Sequence, residues 1–373
     1  MALPVLEGRL GGLVAGAFRV LSAAASRGVW VVGFSGGKDS SVLLDLVLRF
    51  LGGGCPGASG CPSKVLVVYS DTLLEPPPLR GFARSVLEAV AGLGLGGVEA
   101  RVVEPAVGED LVAMVLVRGY PAPSARFRWC TDRWKTGPAR RLLRSVVGGS
   151  AGEGVAVLSA ARAEEAAHRA ARRPGPGGLA LERDDVGGAA FVPLHEWRVG
   201  DVWGYMEAVG APAWGAPGWG ALRRVYAAAA GARMGCWACT LVSRDRGWEA
   251  LAAAGLVDPV LVERLGAWRS LWLHLSRGRP ELWRLPKARL RRRRGGEWRY
   301  RYGKLRPEAR LLLYRCLEAV IESSPGDPVV VPLAERLALY RDVLEGLEEH
   351  RRGVEELLVR DPVAAGLART CMG

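Results

Sequence analysis

Residues 35–40 have the composition of a phosphate-binding loop: they are Ser35, Gly36, Gly37, Lys38, Asp39 and Ser40. Glycines let the backbone approach an anion closely, and the lysine beside them adds a positive charge. The run lacks the Walker pattern, in which Gly-x-x-x-x-Gly-Lys is followed by Ser or Thr. These residues therefore predict an oxyanion site of another class. The alternative is an ordinary glycine-rich turn in which Asp39 or Ser40 caps the following helix.

Two cysteines, Cys236 and Cys239, are separated by two residues. This spacing suits thiolate ligation of zinc or of an iron–sulfur cluster, although one such pair supplies only half of a site. A redox dithiol or two packed thiols is the alternative. The chain has seven cysteines, an odd number, which argues for metal or redox chemistry in a reducing compartment. Cys55 and Cys61 are an exception: they flank a Gly/Pro/Ser loop, where a disulfide and two separate thiols are equally expected.

The positive charge of the chain is concentrated in one segment. Residues 277–306 carry 13 basic and two acidic side chains and so supply +11 of the formal net charge of +13. Such a local field suggests a polyanionic partner, with nucleic acid favoured over membrane, whereas a solvated basic face is the alternative. The arginines that we expect to contact phosphates are Arg291, Arg292, Arg293, Arg299 and Arg301.

Short apolar runs alternate with amphipathic stretches over the first two-thirds of the chain. The runs are typical of buried strands and span Val29 to Phe34, Lys64 to Tyr69, Val98 to Val103 and Val155 to Ser159. Helical patterns span Ser41 to Phe50, Leu79 to Leu93 and Lys135 to Val146. Continuous apolar strands separated by helices predict an α/β fold with a parallel twisted sheet and helices on both faces. The loop at residues 35–40 then lies at the carboxyl edge, where such sheets bind ligands.

Beyond Cys239 the strand patterns stop and helical ones dominate. We therefore predict two domains, a nucleotide-binding α/β domain over residues 1–235 and a mainly helical domain over residues 236–373. Within the second, Gly295-Gly296 predicts a two-residue turn between strands from Arg289 to Arg294 and from Glu297 to Tyr302. Side chains alternate along a strand, so this basic β-hairpin presents arginines on one face and Trp298, Tyr300 and Tyr302 on the other.

The loop at residues 35–40 resembles the PP-loop of the adenine nucleotide alpha-hydrolase-like superfamily, which ATP pyrophosphatases share with 3′-phosphoadenylyl sulfate (PAPS) reductases. Four stretches resemble the PAPS reductase family: Tyr69 to Glu75, Arg128 to Lys135, Pro193 to Trp197 and Asp201 to Trp203. Within that family, Gly235 to Thr240, Gly303 to Leu305 and Arg310 are most similar to the branch that contains the DNA phosphorothioation sulfurtransferase. The resemblance runs from about Gly28 to Leu317. It lacks the serine expected after Glu165.

The resemblance implies a Rossmann-like PP-loop fold that binds ATP and Mg²⁺. Lys38 and Asp39 are the implied catalytic residues, and Asp39 and Asp71 are the carboxylates available to Mg²⁺. Asp71 as a simple turn residue is the alternative. The implied nucleotide site is completed by Thr72 and Arg162. The implied substrate-binding residues are Arg128, Arg133, Lys135, Glu165 and Arg169, although an exposed, ion-paired helix also explains the spacing of Arg162, Glu165 and Arg169.

By the same resemblance, Cys130 joins Cys236 and Cys239 as the third ligand of a 4Fe–4S cluster, with zinc as the alternative metal. Three thiolates leave one iron open to carry the sulfur that is transferred. In the adenylyl sulfate reductase branch two adjacent cysteines occupy this place, whereas here Trp129 stands beside a single Cys130. Cys316 is expected in the core, on an apolar helix face. Cys371 resembles the tail cysteine of PAPS reductases without its flanking residues, in a tail that we expect to be mobile.

The function these features favour is ATP-dependent sulfur transfer: an acceptor is adenylylated and sulfur is inserted into nucleic acid, as in DNA phosphorothioation or tRNA thiolation. A sulfur donor such as a cysteine desulfurase is an expected partner. One alternative is a PAPS or adenylyl sulfate reductase that releases sulfite, against which stand the single Cys130 and the basic segment. Another is a nucleotide-gated nucleic-acid-binding module, which leaves the three cysteines without a role.

Composition and hydropathy fit a soluble globular protein, with 49% apolar and 24% charged residues. Arg19 and Arg27 interrupt the N-terminal apolar stretch, so no membrane span or signal peptide is expected and we predict a cytoplasmic protein. The chain contains no Asn and no Gln, and 46 of its 51 basic residues are Arg. The loss of thermolabile amides fits a heat-adapted organism, although GC-rich codon use also enriches Arg.

Overall fold

The computed structural model describes residues 3–147, 154–166, 179–183, 188–229, 231–232, 234–292 and 298–373. The chain divides into two compact units, each built from separate stretches of sequence. The first comprises Met1–Asp71, Pro78–Glu104 and Lys135–Tyr226. The second comprises Thr72–Pro77, Pro105–Trp134 and Ala227–Gly373.

The first unit contains a six-stranded sheet. Its strands are β1 (Val29–Phe34), β2 (Lys64–Ser70), β3 (Val98–Val103), β4 (Val155–Leu158), β5 (Leu179–Arg183) and β6 (Ala189–Phe191), in the order β3-β2-β1-β4-β6-β5. All neighbours pair in parallel except β5 and β6, which are antiparallel. The four strands expected from the apolar runs are present, so the predicted parallel sheet is confirmed, with two strands added: β6, which is parallel, and β5, which is an antiparallel edge strand.

The helices are numbered along the chain. They are α1 (Gly8–Ala24), α2 (Lys38–Gly52), α3 (Pro77–Gly92), α4 (Trp129–Thr131), α5 (Gly137–Val147), α6 (Ala163–Ala166), α7 (Val199–Val209), α8 (Trp219–Ala228), α9 (Arg246–Ala253), α10 (Pro259–Arg277), α11 (Pro280–Trp283), α12 (Pro307–Ser323), α13 (Val331–Ala338), α14 (Arg341–Glu345), α15 (Arg351–Arg360) and α16 (Pro362–Met372). Short π-helices span Val112–Val117 and Asp132–Thr136, and a 3₁₀ helix spans Gly346–His350. Among these described helices, none has both the length and the apolar character needed to cross a bilayer.

Helices cover both faces of the sheet. On one face the ring of Trp30 in β1 stacks on Phe50 of α2, with centroids 5.9 Å apart. On the other face Val31 lies beside Leu66 of β2, and both belong to an apolar cluster with Leu143 of α5. Adjacent residues of a strand point to opposite faces, which explains why Trp30 and Val31 meet different helices. This arrangement confirms the predicted α/β fold.

The second unit is mainly helical and carries a β-hairpin, as predicted. Its core includes α12, which buries Leu312, Cys316 and Val320 at intervals of one helical turn. The hairpin strands are β7 (Arg284–Arg292) and β8 (Trp298–Leu305).

The hairpin register differs by one residue from the register that a two-residue turn at Gly295-Gly296 requires. Arg292 pairs with Trp298 and Arg291 with Arg299, whereas such a turn would pair Arg292 with Arg299. The register also shifts on either side of Pro286, which has no N–H to donate to a ladder. The turn itself lies outside the described residues.

Two expectations about cysteines are settled by the structure. Cys55 and Cys61 form a disulfide with Cα atoms 5.5 Å apart, which closes the loop between α2 and β2. The expectation of a mobile tail around Cys371 is wrong. The C-terminal residues form α16, Pro362 starts this helix at a position where its missing N–H costs nothing, and Cys371 is fully buried. Cys316 is fully buried as well, as expected.

Candidate functional site

The loop at residues 35–40 connects the carboxyl end of β1 to α2. Strand β1 lies inside the sheet, between β2 and β4. Gly36 has a φ of +71°, and a Cβ built there would lie 2.8 Å from the Cβ of Ala83 in α3. Only glycine allows both the left-handed turn and the close approach to α3. The backbone geometry at the start of the loop therefore requires a glycine at this position.

The N-terminus of α2 has no side-chain cap, so the alternative in which Asp39 or Ser40 caps the helix is not what the structure shows. The hydroxyl of Ser40 donates instead to the carbonyl of Gly37 at 3.0 Å and accepts from the amide of Ser35 at 3.1 Å. These bonds hold the loop closed on itself. An uncapped helix N-terminus presents amide groups and the positive end of the helix dipole, which favour an anion.

Three of the predicted nucleotide-site residues come together at this helix end. The Lys38 Nζ donates to Asp39 Oδ2 at 2.7 Å. On the other side, Arg162 Nε lies 2.8 Å from Asp39 Oδ1, an ion pair whose N–H direction does not make it a hydrogen bond. Arg162 is 4% exposed and also pairs with Glu164 at 2.8 Å. Asp39 therefore lies between two cations, with one carboxylate oxygen toward each.

Tyr226 is part of this arrangement, and the sequence did not indicate it. The Lys38 amide donates to Tyr226 Oη at 3.2 Å, and Lys38 Nζ lies 5.6 Å from the centroid of its ring. A cation over an aromatic face is attracted by the quadrupole of the ring. Tyr226 is 188 residues from Lys38 along the chain, so no local pattern could have linked them.

Asp71 is at the end of β2, next to β1, and is fully buried. It accepts hydrogen bonds from Arg80 Nε at 2.8 Å and from Arg84 Nη2 at 2.7 Å, both from α3. Burial alone would lower the pKa of Arg84, but the hydrogen bond to Asp71 and the negative charge outweigh it and raise that pKa. The spacing of the two arginines at i and i+4, which puts them on one face of a helix, was a sequence signal for this anchor, although they follow Asp71 by 9 and 13 residues. Asp39 is the more accessible carboxylate.

The remaining predicted polar residues are distributed over both units. Thr72 donates through its amide and hydroxyl to Glu75 Oε2, at 3.1 and 2.7 Å, inside the second unit. Arg133 pairs with Glu109, and that hydrogen bond raises the pKa of Arg133. Arg128 and Lys135 are exposed.

Several predicted residues lie partly or wholly outside the described part of the chain. Arg169 and Arg293 are outside it, and so is the side chain of Glu165, whose backbone is in α6. Arg291, Arg292 and Arg299 are described as backbone in β7 and β8, and Arg301 is exposed.

The three candidate metal ligands all belong to the second unit. Cys130, Cys236 and Cys239 are half-buried and outside disulfides. Cys130 and Cys236 pack against the same apolar core. Thr240, directly after Cys239, donates from its hydroxyl to the carbonyl of Pro123 at 2.9 Å and so ties this loop to the segment before Cys130.

The thiols as placed do not make a finished metal site. Over the residues that the structure describes, no three His, Cys, Asp or Glu side chains are grouped closely enough to hold a metal ion. The cluster therefore stays a prediction.

The sequence of this chain is similar to that of a known protein family. The model of the phosphoadenosine phosphosulfate reductase domain family matches residues 29–241, which is more than half of the chain. A crystal structure of phosphoadenylyl-sulfate (PAPS) reductase from Candida auris, in a phosphate complex, is 15% identical with a TM-score of 0.37. That match covers 65% of this chain and 100% of the other. Curated protein sequences give no significant match.

Proposed function

The chain belongs to the phosphoadenosine phosphosulfate reductase domain family, and we propose that it is an ATP-dependent sulfurtransferase that adenylylates an acceptor and inserts sulfur into nucleic acid. The observation that carries the proposal is the uncapped N-terminus of α2 with Lys38, Asp39 and Arg162 beside it. This arrangement offers amide groups and cations to phosphate oxygens, and one carboxylate to a metal ion.

Each residue of the arrangement has a distinct task in this proposal. The Lys38 side chain and the amides of α2 that follow the Lys38 amide hold the phosphates, and they stabilise the charge that develops on pyrophosphate as it leaves. Asp39 supplies an oxygen ligand to Mg²⁺, an ion that is bound through one or two carboxylates and phosphate oxygens. Arg162 orients Asp39 through their ion pair. Tyr226 fixes the first amide of the helix and the position of the lysine.

The chemistry then has two balanced steps. An acceptor oxygen forms a bond to the α-phosphorus of ATP, the bond to the β-phosphate oxygen breaks, and pyrophosphate leaves with that electron pair. A sulfur nucleophile at the sulfide oxidation level next attacks the activated centre, and AMP leaves with the acceptor oxygen. If the donor is a persulfide, a thiol must supply two further electrons. The role of this chain in both steps is to position the reacting groups and to place charge beside them.

The basic hairpin supports nucleic acid as the acceptor. Arg301 and Lys304 of β8 and Lys287 of β7 are exposed. Their charges belong to the segment that supplies +11 of the formal net charge of +13. Phosphate contacts of this kind give affinity without base identity, and so suit the backbone of an acceptor.

We also propose that Cys130, Cys236 and Cys239 are the ligands of a 4Fe–4S cluster, with zinc as the alternative. All three belong to the second unit, and Cys130 and Cys236 pack against the same apolar core, which supports this proposal. Anaerobically purified protein should contain iron and acid-labile sulfide, and Ser substitution at any of the three should remove both. Stoichiometric zinc without iron would refute the cluster.

The reductase alternative needs a thiol that can reach a sulfonucleotide. Cys371, the tail cysteine, is fully buried in α16, and its hydrogen bond with Cys316 together with burial raises its pKa. A buried thiol that is rarely ionised is a poor nucleophile. This placement supports sulfur transfer over attack by the tail thiol.

One experiment separates these reaction classes. The protein is incubated anaerobically with Mg·ATP, nucleic acid and sulfide, and the nuclease digest is analysed by mass spectrometry for nucleotides in which sulfur replaces oxygen. A parallel reaction contains PAPS or adenylyl sulfate and a thiol reductant, and sulfite is measured. Sulfur-containing nucleotides that require ATP are the expected product. Sulfite release without such nucleotides would assign the chain to the reductases.

A further inference from the structure

Phe127 is the one exposed aromatic side chain among the residues whose side chains the structure describes. Half of its surface (50%) is exposed, whereas the other described Phe, Trp and Tyr side chains are buried or half-buried. Its chain neighbours Arg126 and Arg128 are exposed too, and neither forms an ion pair within the described residues. We name Arg126, Phe127 and Arg128 the aromatic tip. A single exposed apolar residue is ordinary, and what distinguishes Phe127 is the way in which the surrounding backbone holds it.

The aromatic tip sits on a closed turn. The amide of Ser124 donates to the carbonyl of Phe127 at 3.2 Å, and the amide of Phe127 donates back to the carbonyl of Ser124 at 3.0 Å. This reciprocal pair is the only isolated β-bridge in the described chain. The two bonds fix the backbone at Phe127, so its exposed ring is presented from a defined position.

The base of the turn is braced by three other segments of the second unit. The amide of Ala122 donates to Ser276 Oγ of α10 at 2.8 Å, and the Thr240 hydroxyl donates to the carbonyl of Pro123. The indole of Trp129 donates to the carbonyl of Pro121 at 3.1 Å. Pro121 and Pro123 restrict φ on their own account. The scaffold thus holds an aromatic ring in solvent three residues before Cys130.

We propose that the aromatic tip binds a single-stranded segment of the nucleic acid acceptor, with one base stacked on Phe127 and the flanking phosphates held by Arg126 and Arg128. The inference rests on the proposed function, since it names the form of the acceptor and where it is held. Every base has a flat π-face, and a base gains free energy by stacking on an exposed aromatic ring without regard to sequence. Arg126 and Arg128, which have no acidic partner in the described part of the chain, supply the charge that the adjoining phosphates need.

The test measures binding of a labelled single-stranded oligonucleotide of mixed sequence by fluorescence anisotropy. Phe127→Ala should weaken binding about 10-fold, within the range of about 5- to 150-fold that one stacked base is worth. Phe127→Leu stays apolar but loses the π-face and should weaken binding as much, whereas Phe127→Trp should keep it. Leu256→Ala, which trims another half-exposed side chain of the same unit, is the control and should bind as wild type does.

The salt dependence of oligonucleotide binding distinguishes the contribution of the Phe127 ring from that of the two arginines. Arg126→Gln with Arg128→Gln should lower the slope of log K against log salt by about 1.4, since each phosphate contact on a single strand contributes about 0.7. Phe127→Ala should leave that slope unchanged. Melting temperatures of all variants report whether they are folded.

Each other result overturns the inference in an identifiable way. Full affinity in Phe127→Leu would show that stacking is absent. Unchanged binding in Phe127→Ala, with loss in variants of the hairpin, would leave the proposed function intact and remove the aromatic tip. Competition by free AMP that depends on Phe127 would assign the tip to a mononucleotide. If wild type binds no oligonucleotide, the inference and the nucleic acid acceptor both fail, while calorimetry of Mg·ATP still reports on the loop at residues 35–40.

Discussion

Asp39 is the residue on which the proposed nucleotide site depends, because its partly exposed carboxylate lies between Lys38 and Arg162. Local composition was sufficient to predict this group, since the loop, its lysine and its carboxylate are adjacent in sequence. Tyr226 could not be predicted, because its contact with Lys38 exists only once α8 is packed. The sequence also suggested Asp71 for Mg²⁺, and the structure shows it already engaged by two arginines.

At this scale we expect Asp39→Ala to weaken Mg·ATP binding by at least about tenfold, the cost of removing one charge-assisted ligand. Isothermal titration calorimetry measures the affinity, and the melting temperature reports whether the variant is folded, because Asp39 also pairs with the buried Arg162. Glu99→Ala is a matched control, because Glu99 also lies between a lysine and an arginine, at 2.7 Å from each. Equal affinity for Mg·ATP in Asp39→Ala and wild type would remove Asp39 from the site.

Three helices of the second unit are joined by a buried polar group that the sequence did not reveal. Asp361 is 2% exposed and accepts from Trp283 Nε1 of α11 at 2.8 Å, while His274 Nε2 of α10 lies 2.9 Å away. It also caps α16 through the amide of Ala364. Strand limits were predictable from apolar runs, as at Val29–Phe34. Tertiary packing decides which polar residue joins the three helices, and no periodic pattern in the sequence reports that packing.

The Asp361 network predicts a pH dependence of stability. Burial would raise the pKa of Asp361, but hydrogen bonds from Trp283, the Ala364 amide and His274 outweigh it and hold this pKa below its ordinary value. A carboxyl with a lowered pKa in the folded state contributes stability above its unfolded pKa, of about 3.9, and loses it as the pH falls through the folded value. Asp361→Asn should therefore cost about 1–3 kcal/mol of unfolding free energy at pH 7, and less below about pH 4.

Denaturant unfolding of wild type and Asp361→Asn at pH 7 and at pH 3 measures this difference. Asp258→Asn is the control, because Asp258 caps α10 in the same unit but is exposed. A cost for Asp361→Asn that is the same at both pH values would show that the charge of Asp361 does not stabilise the fold.

The burial of the two cysteines in α12 and α16 leads to a second prediction. Because Cys371 and Cys316 are fully buried, native protein should leave both unmodified when it is treated with iodoacetamide, and unfolded protein should react at both. Peptide mass spectrometry after timed quenching reports each thiol separately. Alkylation of Cys371 in the native protein at the rate seen in denaturant would mean that the tail thiol is accessible, and would revive the reductase alternative.

At the scale of the whole molecule, the chain interleaves its two units. The segments Thr72–Pro77 and Pro105–Trp134 belong to the second unit although sheet strands precede and follow them. A domain boundary placed at residue 235 from composition cannot detect these two segments, because they are assigned to the second unit by contacts between residues that are distant in sequence. The fold class was predictable, since the alternation of apolar runs and helices extends over many residues. The strongly basic character of residues 277–306 was predictable too, because those charges lie close together in the sequence.

That charge predicts how the whole protein responds to salt. Replacing Arg291, Arg299 and Arg301 by Gln should lower the salt slope of nucleic acid binding by about two to three units, at about 0.9 per phosphate on duplex and about 0.7 on a single strand. The loss should be similar for all sequences. Arg341, Arg352 and Arg360, which are exposed in the same unit, form the control set. An unchanged slope in the hairpin variant would assign its arginines to another role.

Exchange of radiolabelled pyrophosphate into ATP is the decisive measurement for the proposed activity, because it detects reversible adenylylation of the acceptor without any sulfur donor. We expect exchange that requires both Mg²⁺ and nucleic acid, that falls at least about 100-fold in Lys38→Ala through loss of electrostatic stabilisation, and that persists in Lys64→Ala, a lysine at the start of β2. Absence of exchange with any nucleic acid, or equal exchange in wild type and Lys38→Ala, would contradict the account.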